Sequence, residues 1–134
     1  MKAGFLNNMV NEELGEYKGK TIYRLKENLY FRREDGSLIL IPAGFQTDLA
    51  SVPRLPFIYT AWGNRSHREA VLHDWLYRLD SDPLVSRLEA DDYFRLAMIS
   101  RHQPWRIYYP MFLGVRAFGW TAYHKLKVGH EFIK

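Results

Sequence analysis

The sequence contains no cysteine, which excludes a disulfide framework and any thiolate metal site, and suits maturation in a reducing compartment. No stretch reaches the roughly 20 apolar residues that a membrane span requires. Met1 to Leu14 mixes Asn, Glu and Gly where a signal peptide would carry a continuous apolar core, so export by the usual route is not expected. There is no block of five or six like charges. The formal charge of +4, from 19 basic and 15 acidic residues, gives weak support to nucleic-acid binding. The zinc patterns H-x-x-x-H and H-E-x-x-H are also missing, which argues against a zinc hydrolase. What is present is 134 residues, 47% hydrophobic and 16% aromatic, enough for one domain with a substantial core and too few for two.

Residues 1–18 are polar and show no sustained period, so they read as an irregular arm of the kind that docks on a partner. Residues 19–134 read as a single α+β domain. Thr21 to Leu25 and Leu29 to Arg32 are rich in aromatic and β-branched residues, and Leu38 to Ile41 is a continuous apolar run. Asp35-Gly36 supplies the turn between the last two, predicting a small antiparallel β-sheet. Pro42 removes a ladder donor and ends the third strand, and Gly44 permits the reversal that follows.

Pro42 to Arg54 is too irregular for a strand and too short between prolines for a helix. It is expected to be a structured loop on which Thr47, Asp48, Ser51 and Arg54 line a cleft. The competing reading makes Asp48 or Ser51 the cap of a helical turn and pairs Arg54 with a surface carboxylate. Both readings remain open at this point.

Chemistry concentrates in the next segment. Ser66 and Glu69 form an S-x-x-E capping box, predicting a helix from about His67. On it His73 and Tyr77 lie one turn apart, and Asp74 points about 100° further round. Asp80 to Pro83 breaks this helix, and Ser86-Arg87-Leu88-Glu89 starts a second that runs to about Arg101. By phase, Asp91 falls beside Leu88, Phe94 and Met98, and should be buried with a partner. The short connection favours an antiparallel pair. His73 lies roughly 10 Å before the end of its helix and Asp91 roughly 7.5 Å after the start of the next, so the two side chains are expected to meet. A third helix follows Pro110, which would occupy its first turn, and its aromatic residues pack the core or form a protein interface.

Three ordered motifs now carry a resemblance: G-F-x-T-D-x-A-S-x-P-R over residues 44–54, H-D-x-L-Y over 73–77 and R-x-x-A-D-x-x-F over 87–94. Together they resemble the phage and prophage family known as domain of unknown function 1353. The resemblance implies a viral or prophage origin and no established activity. A more local resemblance is to phospholipase A2 enzymes, the parvoviral type included. These carry H-D-x-x-Y on one helix and an aspartate on an antiparallel neighbour, as His73, Asp74, Tyr77 and Asp91 would. That likeness implies His73 as the base that deprotonates water, Asp91 as its orienting partner, Tyr77 as support for the aspartate, and Asp74 as ligand to a calcium ion. The Gly-rich calcium loop of those enzymes is not matched; Val52 to Pro56 stands in its place, with Asp48 and nearby carbonyls as the substitute ligands.

The opposing reading treats His73 with Asp91 as a structural clamp between helices and Asp74 with Arg78 as an ordinary i,i+4 pair. The leading functional expectation is a phage virion or tail-assembly protein, made in the host cytoplasm and carried in the virion, that contacts other virion proteins or copies of itself. The alternative is a metal-assisted hydrolase of a lipid ester or another envelope bond. Nucleic acid is the third and least favoured partner.

Overall fold

The Asp35-Gly36 turn closes as its sequence requires. Gly36 adopts a positive φ of 88°, its N–H donates to the Arg33 carbonyl, and the Asp35 carboxylate accepts from the backbone N–H of Ser37. The turn joins β4 (Leu29–Arg32) to β5 (Leu38–Ile41), which pair antiparallel with Phe31 opposite Ile39. The computed structural model describes residues 2–47, 67–78 and 83–118.

The polar stretch read as an irregular arm folds instead into two strands. β1 (Gly4–Phe5) pairs with β4, and β2 (Asn11–Tyr17) pairs with β3 (Lys20–Leu25). Lys18 and Gly19, with φ of 51° and 78°, form the two-residue turn between them, a geometry whose twist matches the flanking strands. β2 escapes a periodicity test because its residues are only exposed or half-buried, and because its register shifts between Glu13 and Gly15. Pairing with β3, and the ion pair of Glu12 with Arg24, hold it in place of an apolar face. Within the presumed loop, Gln46–Thr47 forms β6, antiparallel to β3. The expected single sheet is thus two three-stranded sheets, ordered β1-β4-β5 and β2-β3-β6.

On the first sheet, Leu29 and Phe31 of β4 and Ile39 and Ile41 of β5 turn inward, while Leu38 and Leu40 face solvent. The inner residues share one apolar cluster with Leu72 and Leu76 of α1 (His67–Leu76) and Phe94 and Met98 of α2 (Arg87–Ser100). Helix α2 begins on the capping box expected of it: the Ser86 hydroxyl accepts from the Glu89 N–H at 3.1 Å, and the Glu89 carboxylate accepts from the Ser86 N–H at 3.3 Å. Leu88, expected beside the buried Asp91, is exposed.

Helix α1 is the central element. Every residue from Glu69 to Arg78 is buried, so it has covered surroundings on all sides rather than an apolar stripe and a polar face. Glu69 near its start accepts from Arg101 just beyond the end of α2, at 3.2 Å, and Tyr77 just beyond its end donates to Asp91 near the start of α2. The two helices therefore run antiparallel. Ser66 lies outside the described residues, and Glu69, read as its capping partner, is a buried ion-pair partner of Arg101. Helix α3 (Trp105–Phe118) starts earlier than expected, because the Pro104 carbonyl accepts from Ile107 and Tyr108. Pro110 consequently sits inside the helix rather than in its first turn.

Candidate active site

The one-turn spacing of His73, on α1, and Tyr77, just beyond its end, places both side chains over one position of α2. His73 Nε2 lies 2.7 Å from Asp91 Oδ1, and the Tyr77 hydroxyl donates to the same oxygen. The two rings meet tilted by 46° at a centroid distance of 4.0 Å, and the Phe94 ring lies 4.9 Å from the imidazole. His73 and Asp91 both have no exposed surface. Their neighbour in sequence, Asp92, is partly exposed and pairs with Arg95 at 3.2 Å, so helical phase separates the adjacent carboxylates into an inward and an outward one.

Burial alone would push the Asp91 carboxyl up, but the bonds from His73, Tyr77 and Arg116 outweigh it and hold the group below its ordinary range. For His73, burial pushes the imidazole down by more than Asp91 pushes it up. The ring is therefore neutral at neutral pH. An ionised carboxylate can only accept, so the Nε2 proton is on the ring, and Nδ1 is its acceptor nitrogen. Burial and the Asp91 contact push the Tyr77 phenol far up, keeping it a donor.

Two arginines complete the arrangement, and neither was among the residues expected at the site. Arg116 of α3 donates to Asp91 Oδ2 at 2.8 Å, and Arg87 stands 3.7 Å from the same oxygen. Arg87 also donates to the Val115 and Arg116 carbonyls, tying the start of α2 to the end of α3. Arg87 was legible as the i−4 neighbour of a buried aspartate. Arg116, 25 residues downstream, had no local signal.

Asp74 is nearly buried and accepts from the Thr47 hydroxyl, which brings β6 onto α1 immediately beside His73. Residues from all three motifs thus converge: Thr47 on Asp74, and His73 with Tyr77 on Asp91. Asp48, Ser51 and Arg54 lie outside the described residues. Arg78, expected to pair with Asp74 across the helix, is buried with its guanidinium over the rings of Phe45 and Trp75 at 5.2 and 5.9 Å. Calcium takes six to eight oxygen ligands. Among the described residues no group of three or more His, Cys, Asp or Glu side chains could hold a metal, so Asp74 and Thr47 do not by themselves make a calcium site.

Residues 23–115, more than half of the chain, match a family model described as protein of unknown function (DUF1353). No curated protein and no solved structure matches the chain.

Proposed function

The chain belongs to the DUF1353 family, and because that description carries no activity, we propose a function from the site itself: hydrolysis of an ester, with His73 as general base. The observation that carries the reading is the buried line of Tyr77, Asp91 and His73, in which an ionised carboxylate takes the Nε2 proton side of a neutral imidazole. Such a ring takes a proton at Nδ1 without losing its orientation, and the adjacent carboxylate stabilises the imidazolium that forms.

In the proposed reaction a water oxygen bonds to the ester carbonyl carbon as its proton passes to His73 Nδ1. The carbon–oxygen bond to the alcohol then breaks, and the Nδ1 proton goes to the departing oxygen. Acid and alcohol are released and the ring is neutral again. Asp91 orients the imidazole, Tyr77 and Arg116 hold Asp91, and the proposed chemistry uses these residues alone. His73 has no exposed surface, so on this reading substrate reaches it through local opening beside α1. The likeness of His73-Asp74, Tyr77 and Asp91 to the phospholipase A2 arrangement supports a lipid ester as the substrate class.

The test is release of carboxylic acid from a short-chain phosphatidylcholine kept monomeric, with and without added calcium. Wild type is expected to release it, and His73→Gln, which keeps most of the side-chain volume, to lose roughly 10²- to 10⁴-fold in rate. Folded wild type that releases nothing at any calcium concentration overturns the reading.

A second reading is supported by the complete burial of His73 and Asp91, as a structural clamp would have. The protein would then act through contacts, as a virion or tail-assembly component bound to other virion proteins or to itself. Mass spectrometry of purified particles tests it, since a chain missing from the particle is not one of its parts.

A further inference from the structure

The charge of this chain is less evenly mixed than its total suggests. Residues 1–92 carry 12 basic and 14 acidic side chains, whereas residues 93–134 carry seven and one, and no acidic residue occurs between Asp92 and Glu131. Helix α3 lies inside this acid-free stretch. Its Ile107, Met111 and Val115 are buried at intervals of four, which accounts for the side that packs on the core.

The opposite side is also apolar, and the core does not need it. Trp105, Tyr109 and Leu113 recur at the same interval and are 69%, 51% and 48% exposed. They form a stripe about 12 Å long. Between residues 105 and 117 the other exposed residues are Arg106 and Ala117, so this stretch presents two aromatic rings, a leucine and a cation to solvent, and no carboxylate. Large aromatics with one polar atom favour the boundary between water and hydrocarbon, and basic residues beside them favour an anionic surface.

We propose that the solvent face of α3 docks the protein on an anionic lipid bilayer, with Trp105, Tyr109 and Leu113 entering the headgroup region and Arg106 meeting lipid phosphates. The face lies in the plane of the bilayer; no described helix is long and apolar enough to cross it. The same helix supplies Arg116 to Asp91, which links the docking face to the candidate site through one rigid element. In its choice of a lipid surface over a protein one, this inference rests on the ester-hydrolase reading.

The experiment is co-sedimentation of the full chain with vesicles of phosphatidylcholine alone and with vesicles of phosphatidylcholine and phosphatidylglycerol in equal parts. Wild type should pellet with the mixed vesicles, less so as salt rises. Trp105→Ser with Tyr109→Ser should weaken that partition about tenfold or more, and Arg106→Glu should weaken it by about fivefold or more. Both variants should keep the wild-type circular dichroism and the wild-type rate on monomeric ester, since these residues lie outside the site. Three results would overturn the proposal: no partition of wild type to either vesicle, partition unchanged in the double variant, or a wild-type dimer that dissociates in the double variant without vesicle binding. Preference for duplex DNA over anionic vesicles would overturn it as well. Vesicle binding without ester cleavage removes the hydrolase reading alone, and cleavage of monomeric ester without vesicle binding removes the docking face alone.

Discussion

Replacing Asp91 by Ala removes the acceptor on which three helices converge. Two buried donors, His73 Nε2 and the Tyr77 hydroxyl, would lose this acceptor, at about 1–3 kcal/mol for each group that its loss leaves unsatisfied. Arg87 and Arg116 would lose the carboxylate too, but Arg87 keeps the Val115 and Arg116 carbonyls, and the two side chains are 24% and 31% exposed and recover part of their hydration. The sum falls near the roughly 3–5 kcal/mol seen when one partner of a buried charged pair is deleted. Against a typical stability of about 5–15 kcal/mol, that is a large fraction. Urea unfolding followed by far-UV circular dichroism is the assay, and the midpoint should fall with the slope unchanged. Asp92→Ala is the matched control, since its half-exposed pair with Arg95 is worth about 0–1 kcal/mol. A loss below about 0.5 kcal/mol for Asp91→Ala, the range of ordinary surface changes, would refute the idea that this carboxylate organises the helices.

Tyr77→Phe deletes one donor to the same carboxylate while keeping the ring against His73, and should cost about 1–3 kcal/mol in the same assay. Arg101→Ala should destabilise more at pH 8 than at pH 5, read as the difference in melting temperature. The sign follows from Glu69: burial raises its pKa, so its contribution is present below the unfolded carboxyl value and lost as pH rises through the folded one, and removing Arg101 leaves the ionised form without its partner. Ser86→Ala breaks the capping box and should cost about 1 kcal/mol.

The α+β class, the Asp35-Gly36 hairpin, the Ser86 cap and the meeting of His73 with Asp91 were legible because each depends on spacing within one element or across a short connection. Asp91 could be assigned inward by phase even though the Leu88 beside it proved exposed. Strand β1 was hidden because it is two residues long and packs on the core through Phe5 alone, and β2 because pairing with β3, rather than an apolar face, holds it; the Lys18-Gly19 turn was the available signal, and it lacks the usual Asn-Gly or Asp-Gly pair. The early start of α3 was masked by Pro110, which reads as a first-turn residue and stands in the interior. Arg116 was out of reach for another reason: its distance in sequence from Asp91 is spanned by the length of α2 and the return along α3. The modest net charge concealed the acid-poor last third of the chain, which only a segment-by-segment count exposes.

Base catalysis at Nδ1 requires His73 to be a neutral imidazole, protonated on Nε2 and held by an ionised Asp91. Nitrogen-15 NMR of the histidine side chains across a pH series measures this directly. His73 should be the Nε2–H tautomer and titrate below the ordinary histidine value of about 6.5, because burial disfavours the cation. Stability linked to this group should be fully present above the unfolded value and lost as pH falls through the folded one. An imidazolium that persists through pH 8, or a neutral ring protonated on Nδ1, would contradict it.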